Sequence, residues 1–174
     1  GAADYTICYF DKRLKTTHAH QLAASLVFYS PLQTIFWYDK PSFYHGEPEM
    51  EWFENLQTVF DDTKVLNGAP GKNITMARRK GQEWFVAAMT NNEGSEEEIP
   101  LTFLDKEKNY LACIYTDGGE KIKTSTQVKC TYLLVNASQT MKFQLKPSGG
   151  AAIRLVPIDR QEMKKYKKYK GERL

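Results

Sequence analysis

Cysteine and histidine are scarce, with three of each in 174 residues. Cys8, Cys113 and Cys130 are odd in number and carry no metal-ligand spacing, which excludes a complete disulfide framework and reads as free thiols. Long apolar runs are also missing: nothing approaches the roughly 20 residues that a membrane-spanning helix needs. No secretory leader pattern opens the sequence, and Gly1 in place of Met implies that the native start lies elsewhere. G-x-S-x-G, H-E-x-x-H, Walker A and Cys/His cluster motifs are all absent, so the common nucleophilic, zinc and nucleotide sites have no foothold.

What is present is a globular composition, 41% hydrophobic and 13% aromatic. The net charge of +3 is unevenly spread. Residues 160–174, "RQEMKKYKKYKGERL", carry seven Lys or Arg against two Glu, and the other 159 residues sum to −2. Basicity is thus confined to a tail, which argues against a protein-wide nucleic-acid surface. The tail reads as a solvated, partly helical extension.

The patterning changes near residue 57. Before it, "TTHAHQLAASLVFYSPLQ" places apolar residues at Ala19, Leu22, Ala23, Leu26 and Val27, a helical period, with Thr16 or Thr17 as N-cap. That helix is expected to end by Tyr29, because Ser30 precedes Pro31. A second helix is signalled at "EPEMEWFENL", with Met50, Phe53 and Leu56 as its buried stripe. After residue 57 the period becomes two. Short runs rich in β-branched and aromatic residues are separated by turn pairs, including Asn67-Gly68, Pro70-Gly71 and Lys80-Gly81. In "EWFVAAMT" both alternating sets are apolar, the mark of a strand covered on both faces. The fold class is therefore mainly β: an antiparallel sandwich over 57–157, a helical piece over 1–56 too small to close its own core, and the basic tail over 158–174.

The H-x-H of His18 and His20 is the first candidate site. On a helix the two rings point roughly 200° apart, so they cannot share one metal. The third, His45, reads as an exposed turn residue. The run Glu96-Glu97-Glu98 reads as a solvated loop, and Asp61-Asp62 as a cap or turn. No carboxylate pair of the kind that glycoside hydrolysis requires converges in this chain. Asn73-Ile74-Thr75 and Asn136-Ala137-Ser138 are glycosylation sequons only if the protein meets that machinery.

Taken in order, "DYT", "TTHAHQLA", "VFYSPLQ", "ARRKGQEWFVAAMTN" and "SGGAAIRL" resemble the C-terminal part of the glycoside hydrolases of family 97, over about residues 3–156. The resemblance implies α-glucosidase or α-galactosidase activity in a bacterial periplasmic or secreted enzyme. It also implies an N-terminal β-super-sandwich, a central (β/α)8 barrel and a C-terminal β-sandwich. The helical piece then becomes a remnant of the barrel's end. The family's catalytic acids and its calcium-binding glutamates lie upstream of "DYT", so no catalytic residue, metal ligand or cofactor is carried over to this chain; calcium belongs to the intact enzyme. Asp4, Tyr5 and Thr6 are implied to line the substrate cleft, although the family's Pro and Gly after the Thr are replaced by Ile7 and Cys8. The implied partners are the barrel, the N-terminal domain, an oligosaccharide substrate and, in a homo-oligomer, further copies. The chain by itself is expected to be inactive. The alternative is an independent carbohydrate-binding or protein-interaction module, which calls for an exposed row of aromatics, with Trp37, Tyr38, Trp52 and Trp84 as the residues to locate.

Overall fold

The structure, a computed structural model, describes residues 5–9, 13–28, 30–36, 42, 44–118 and 126–174. Asp4, Trp37 and Tyr38 lie outside the described residues. Three layers stack on one another. The middle layer is a seven-stranded sheet built from β3 (Asp62–Ala69), β4 (Asn73–Lys80), β5 (Glu83–Thr90), β7 (Asn109–Asp117), β8 (Val128–Asn136), β10 (Gly150–Pro157) and β11 (Lys167–Lys168), in the order β11-β8-β7-β10-β5-β4-β3. Its pairings are antiparallel except β11 with β8, which is parallel. One face is covered by the antiparallel pair β6 (Ser95–Pro100) and β9 (Thr140–Leu145). The other face is covered by β1 (Thr6–Cys8), α1 (His18–Val27) and α2 (Met50–Asn55), with β2 (Thr34–Phe36) paired to β1.

Strand β5 is central and meets the expectation that both its faces are covered. Trp84, Val86 and Ala88 enter the core shared with Ile99, Met141 and Phe143 of the β6–β9 pair. Phe85 and Ala87 enter the second core with Leu22, Ala23 and Leu26 of α1. A period of two sends alternate side chains to opposite faces, so eight residues serve two cores.

α1 begins where the sequence indicates: the Thr17 hydroxyl accepts from the His20 N–H at 3.1 Å, an N-cap. Small residues beneath the helix let it approach the sheet. Ala87 and Ala152 are wholly buried there. A Cβ on Gly150 would lie 2.8 Å from the His20 Cα and 3.0 Å from the Ala88 carbonyl oxygen. The helical piece therefore shares its core with the sandwich, as its size required.

Four sequence expectations need correction. In α2 the buried anchor is Trp52, fully enclosed, whereas Met50, Phe53 and Leu56 are half-buried. A six-residue helix has too few turns to define a stripe, and Trp52 wedges between Phe85 and Tyr115, at ring distances of 5.8 and 6.1 Å, with its indole N–H donating to Ser25 Oγ. Asn67-Gly68 is no turn; it lies inside β3 at a bulge, and the chain reverses at Pro70-Gly71. Glu96-Glu97-Glu98 belongs to β6, not to a loop. Alternation turns Glu97 inward, 1% exposed, while Glu96 and Glu98 face out and pair with Arg173 and Lys142. There Glu97 accepts from Asn67 (3.2 Å), Asn73 (2.5 Å), Thr75 (3.3 Å) and Ser95 (2.8 Å). Finally, the tail is not a solvated extension. Glu162–Lys165 form a 3-10 turn, β11 adds to the sheet, and Tyr169 is buried with its hydroxyl donating to Glu172 O and accepting from Lys142 N.

Candidate functional site

β1, α1 and β2 form a parallel strand–helix–strand unit. Thr6, Ile7 and Cys8 pair with Thr34, Ile35 and Phe36 in parallel register, and α1 is the crossover between them. Parallel neighbours need such a crossover, and sheets of this type are ordinarily buried on both faces. Here the pair has only two strands. Ile7 and the following Tyr9 point into the second core and are fully buried, whereas Thr6 and Cys8 point the other way and are exposed. Phe28, Leu32 and Ile35 are 40%, 79% and 37% exposed around the same unit. An apolar margin thus surrounds a parallel pair whose outer face no other described residue covers.

The cleft residues implied by the resemblance divide between the two faces. Thr6 is on the uncovered face, at the start of β1. Tyr5 is half-buried on the helix side, its ring 4.8 Å from Phe28 and its hydroxyl donating to Gln21 Oε1 at 3.4 Å. Cys8, which the sequence did not single out for this role, shares the uncovered face with Thr6.

Behind the unit lies a buried polar chain. The Tyr9 hydroxyl donates to Glu49 Oε1, and Glu49 Oε2 has no hydrogen-bond partner although the residue is wholly buried. Two residues on, Glu51 Oε2 accepts from both the Tyr115 and Tyr132 hydroxyls, at 3.0 and 2.8 Å. Burial, then the Glu51 charge, raises the Tyr115 pKa, and the same carboxylate helps raise that of Tyr132. Cys113 and Cys130 lie beside this chain as diagonal neighbours on β7 and β8, unbonded, and burial pushes both thiols up to about 12. They are inert thiols at neutral pH.

His18 and His20 diverge as helical geometry requires. His18 sits edge-on to Tyr9 at 5.0 Å, and His20 Nδ1 lies 3.1 Å from the Gly149 carbonyl oxygen. Burial lowers both pKa values. Among the described residues no three His, Cys, Asp or Glu side chains come together as a metal site. His45 is exposed, as expected.

Of the aromatics that would make a sugar-binding platform, the two described ones, Trp52 and Trp84, are core residues. Trp84 is 4% exposed and Trp52 fully buried, and no row of exposed Trp or Tyr crosses a sheet face among the described residues.

Comparison with known proteins agrees with this architecture. Residues 59–156 match the family described as "Glycosyl-hydrolase 97 C-terminal, oligomerisation". The chain is 33% identical over 153 residues to the retaining alpha-galactosidase of Bacteroides thetaiotaomicron, covering 87% of this chain and 23% of that protein. A probable retaining alpha-galactosidase of Streptomyces bingchenggensis is 24% identical, with the same coverage. The chain thus spans about a quarter of the length of these relatives. Among solved structures, a family 97 enzyme of Pseudoalteromonas sp. strain K8 in complex with acarbose superposes with a TM-score of 0.80 at 31% identity, over 91% of this chain and 27% of that one. A beta-arabinopyranosidase, at 23% identity and a TM-score of 0.70, shares the fold. The three-layer sandwich, the parallel unit docked on it and the match across residues 59–156 agree: the chain belongs to the C-terminal domain family of the family 97 glycoside hydrolases.

Proposed function

We propose that this chain is the C-terminal part of a family 97 enzyme that hydrolyses α-linked galactosides or glucosides, and that its sandwich holds the end of the catalytic barrel in place. The observation that carries this reading is the two-stranded parallel unit β1–α1–β2 with its uncovered face. In a (β/α)8 barrel the helices pack outside, so strand residues that face away from the helix line the interior. Thr6 and Cys8 would then face the barrel interior, and Tyr9, just past the end of β1, would lie toward the rim where such barrels place their chemistry. Tyr5 would support the strand from the helix side, and Asp4 completes the implied cleft segment. The 33% identical relative favours a galactoside; the glucoside alternative rests on the resemblance. The resemblance also implies a periplasmic or secreted setting, and calcium held by residues upstream of this chain.

Hydrolysis needs two carboxyl groups at a fixed separation across the glycosidic bond. The buried acids described here, Glu47, Glu49 and Glu97, face protein partners and not a cleft. The chain alone is expected to be inactive toward nitrophenyl α-galactoside and α-glucoside. Turnover that co-purifies with the chain and tracks its concentration overturns the reading. The family description supports a second role in oligomerisation, for which the open edge strand β3, with Val65 65% exposed, is the available surface. Sedimentation of the chain across a concentration series tests it, and a monomer throughout counts against it.

A further inference from the structure

The basic tail builds something that a disordered extension would not. Between the 3-10 turn, β11 and β8 lies a groove of about 450 Å³. Its floor is Leu134 and Met163, and its walls carry Arg160, Lys164, Lys168 and the half-buried ring of Tyr166. Tyr166 and Lys168, two apart on an extended stretch, present to the same side. No carboxylate pairs with the three cations among the described residues. Of the acids near them in sequence, Asp159 accepts from the Gln161 and Glu162 N–H groups and Glu172 from Lys170 N, while Glu162 forms no ion pair with them among the described residues.

The cations are also pre-positioned. Tyr169 N donates to Leu134 O, Gln139 donates to Tyr169 O at 2.9 Å, and Lys170 N donates to Glu172 Oε2 at 2.9 Å. These bonds fix the backbone just after Lys168, and the pairing of Lys167 and Lys168 with Leu133 and Leu134 fixes it before, so the base of the Lys168 side chain is held in place.

We propose that this groove binds a polyanionic glycan, a saccharide chain bearing carboxylate or sulfate groups. The dimensions fall within the range of small-ligand sites, and the lining joins convergent polar groups to one aromatic ring. Arg160 supplies a planar fork for carboxylate or sulfate oxygens, and the lysines supply point charges. Single-stranded nucleic acid fits less well: such sites stack successive bases on several rings, and this groove has one. An anionic membrane also fits less well, because the apolar side chains form the floor of a concavity and not a face that can enter a bilayer. The inference stands apart from the hydrolase reading, since the groove uses neither the parallel unit nor its uncovered face.

The test is isothermal titration of the full 174-residue chain with polygalacturonate and with dextran sulfate, beside neutral dextran, a thymidine oligonucleotide and phosphatidylglycerol vesicles. Binding is expected to at least one charged glycan and not to neutral dextran, weakening about tenfold with a few-fold rise in salt. The double variant K164E/K168E should abolish it, and the single variants Tyr166→Ala and Arg160→Gln should each weaken it, the first without any change in charge. All these positions are exposed or half-exposed, and the thermal midpoint of each variant verifies folding. The proposal fails if neither charged glycan binds, or if the variants bind as the parent does. It fails equally if the oligonucleotide or the vesicles bind as tightly as the glycans, since charge alone then suffices.

Discussion

The Tyr9 hydroxyl reaches Glu49 Oε1 at 2.9 Å, and both residues are completely buried. This contact ties the end of β1 to the start of α2 across 40 positions of sequence. From α2, Glu51 continues to Tyr115 and Tyr132 of the sheet. Two carboxylates on one short helix thus join the parallel unit to the sandwich through tyrosine hydroxyls.

Tyr9→Phe keeps the ring and removes the donor, leaving both Glu49 oxygens buried without a partner. A loss of about 1–3 kcal/mol in urea unfolding is expected. The partner variant Tyr9→Phe/Glu49→Leu should recover part of it, since both polar groups are then gone. A Tyr9→Phe chain as stable as the parent would show that the contact does not hold the unit in place.

Glu97 and Glu98 are adjacent and predicted to behave oppositely. Glu97→Ala strips an acceptor shared by Asn67, Asn73, Thr75 and Ser95, and should cost about 2–3 kcal/mol. Glu98→Ala removes an exposed ion pair with Lys142 and should stay within about 0.5 kcal/mol of the parent. Equal effects in denaturant titration would mean that Glu97 is not the buried hub described.

Gly150→Ala is expected to lift α1 from β10. The new Cβ would meet backbone atoms of His20, Ala88 and Ala19 at 2.8, 3.0 and 3.1 Å, none of which can swing aside. A penalty of about 2 kcal/mol or more follows, with faster exchange of α1 amides. Unchanged exchange in α1 would contradict the close approach.

Acid should destabilise the fold through its two helix histidines. Burial holds both below the ordinary value of 6.5. Below that pH the unfolded chain therefore binds protons that the folded chain does not, and stability falls as pH drops. Asp117 opposes this: burial raises its carboxyl above 3.8, so its contribution is greatest at low pH and is lost as pH rises through the folded value. The thermal midpoint should fall between about pH 7 and pH 5, and His18→Asn/His20→Asn should flatten that limb. A parent profile already flat there would show that the imidazoles titrate normally.

Much of this architecture was legible in the residues. The doubly apolar alternation of "EWFVAAMT" gave β5 its central place, and the pair Thr16-Thr17 marked the start of α1, with Thr17 the one that caps it. The inward turn of Glu97 was not legible. The run "EEIPLTFLD" has strand character, but nothing in it marks Glu97 as a buried acceptor, and its stabilising partners Asn67 and Asn73 lie more than 20 residues away. The tail misled for the same reason: the acceptors that hold Tyr169 and Leu174 come from β8 and β9. Long-range pairing decides both, and local propensity carries no record of it. Which of Tyr5 and Thr6 faces away from the helix was not legible, because which face of β1 is covered depends on where α1 docks.

The parallel strand β11 has one more effect. A sheet edge offers unpaired N–H and C=O groups to any extended chain that drifts past. β11 occupies that edge at Leu133 and Leu134, where β8 is most apolar, and it brings a lysine at each of its two positions. The last residues of the chain thus act as a charged selvedge, and trimming them to tidy a basic tail would unravel the sheet's protection against its own copies.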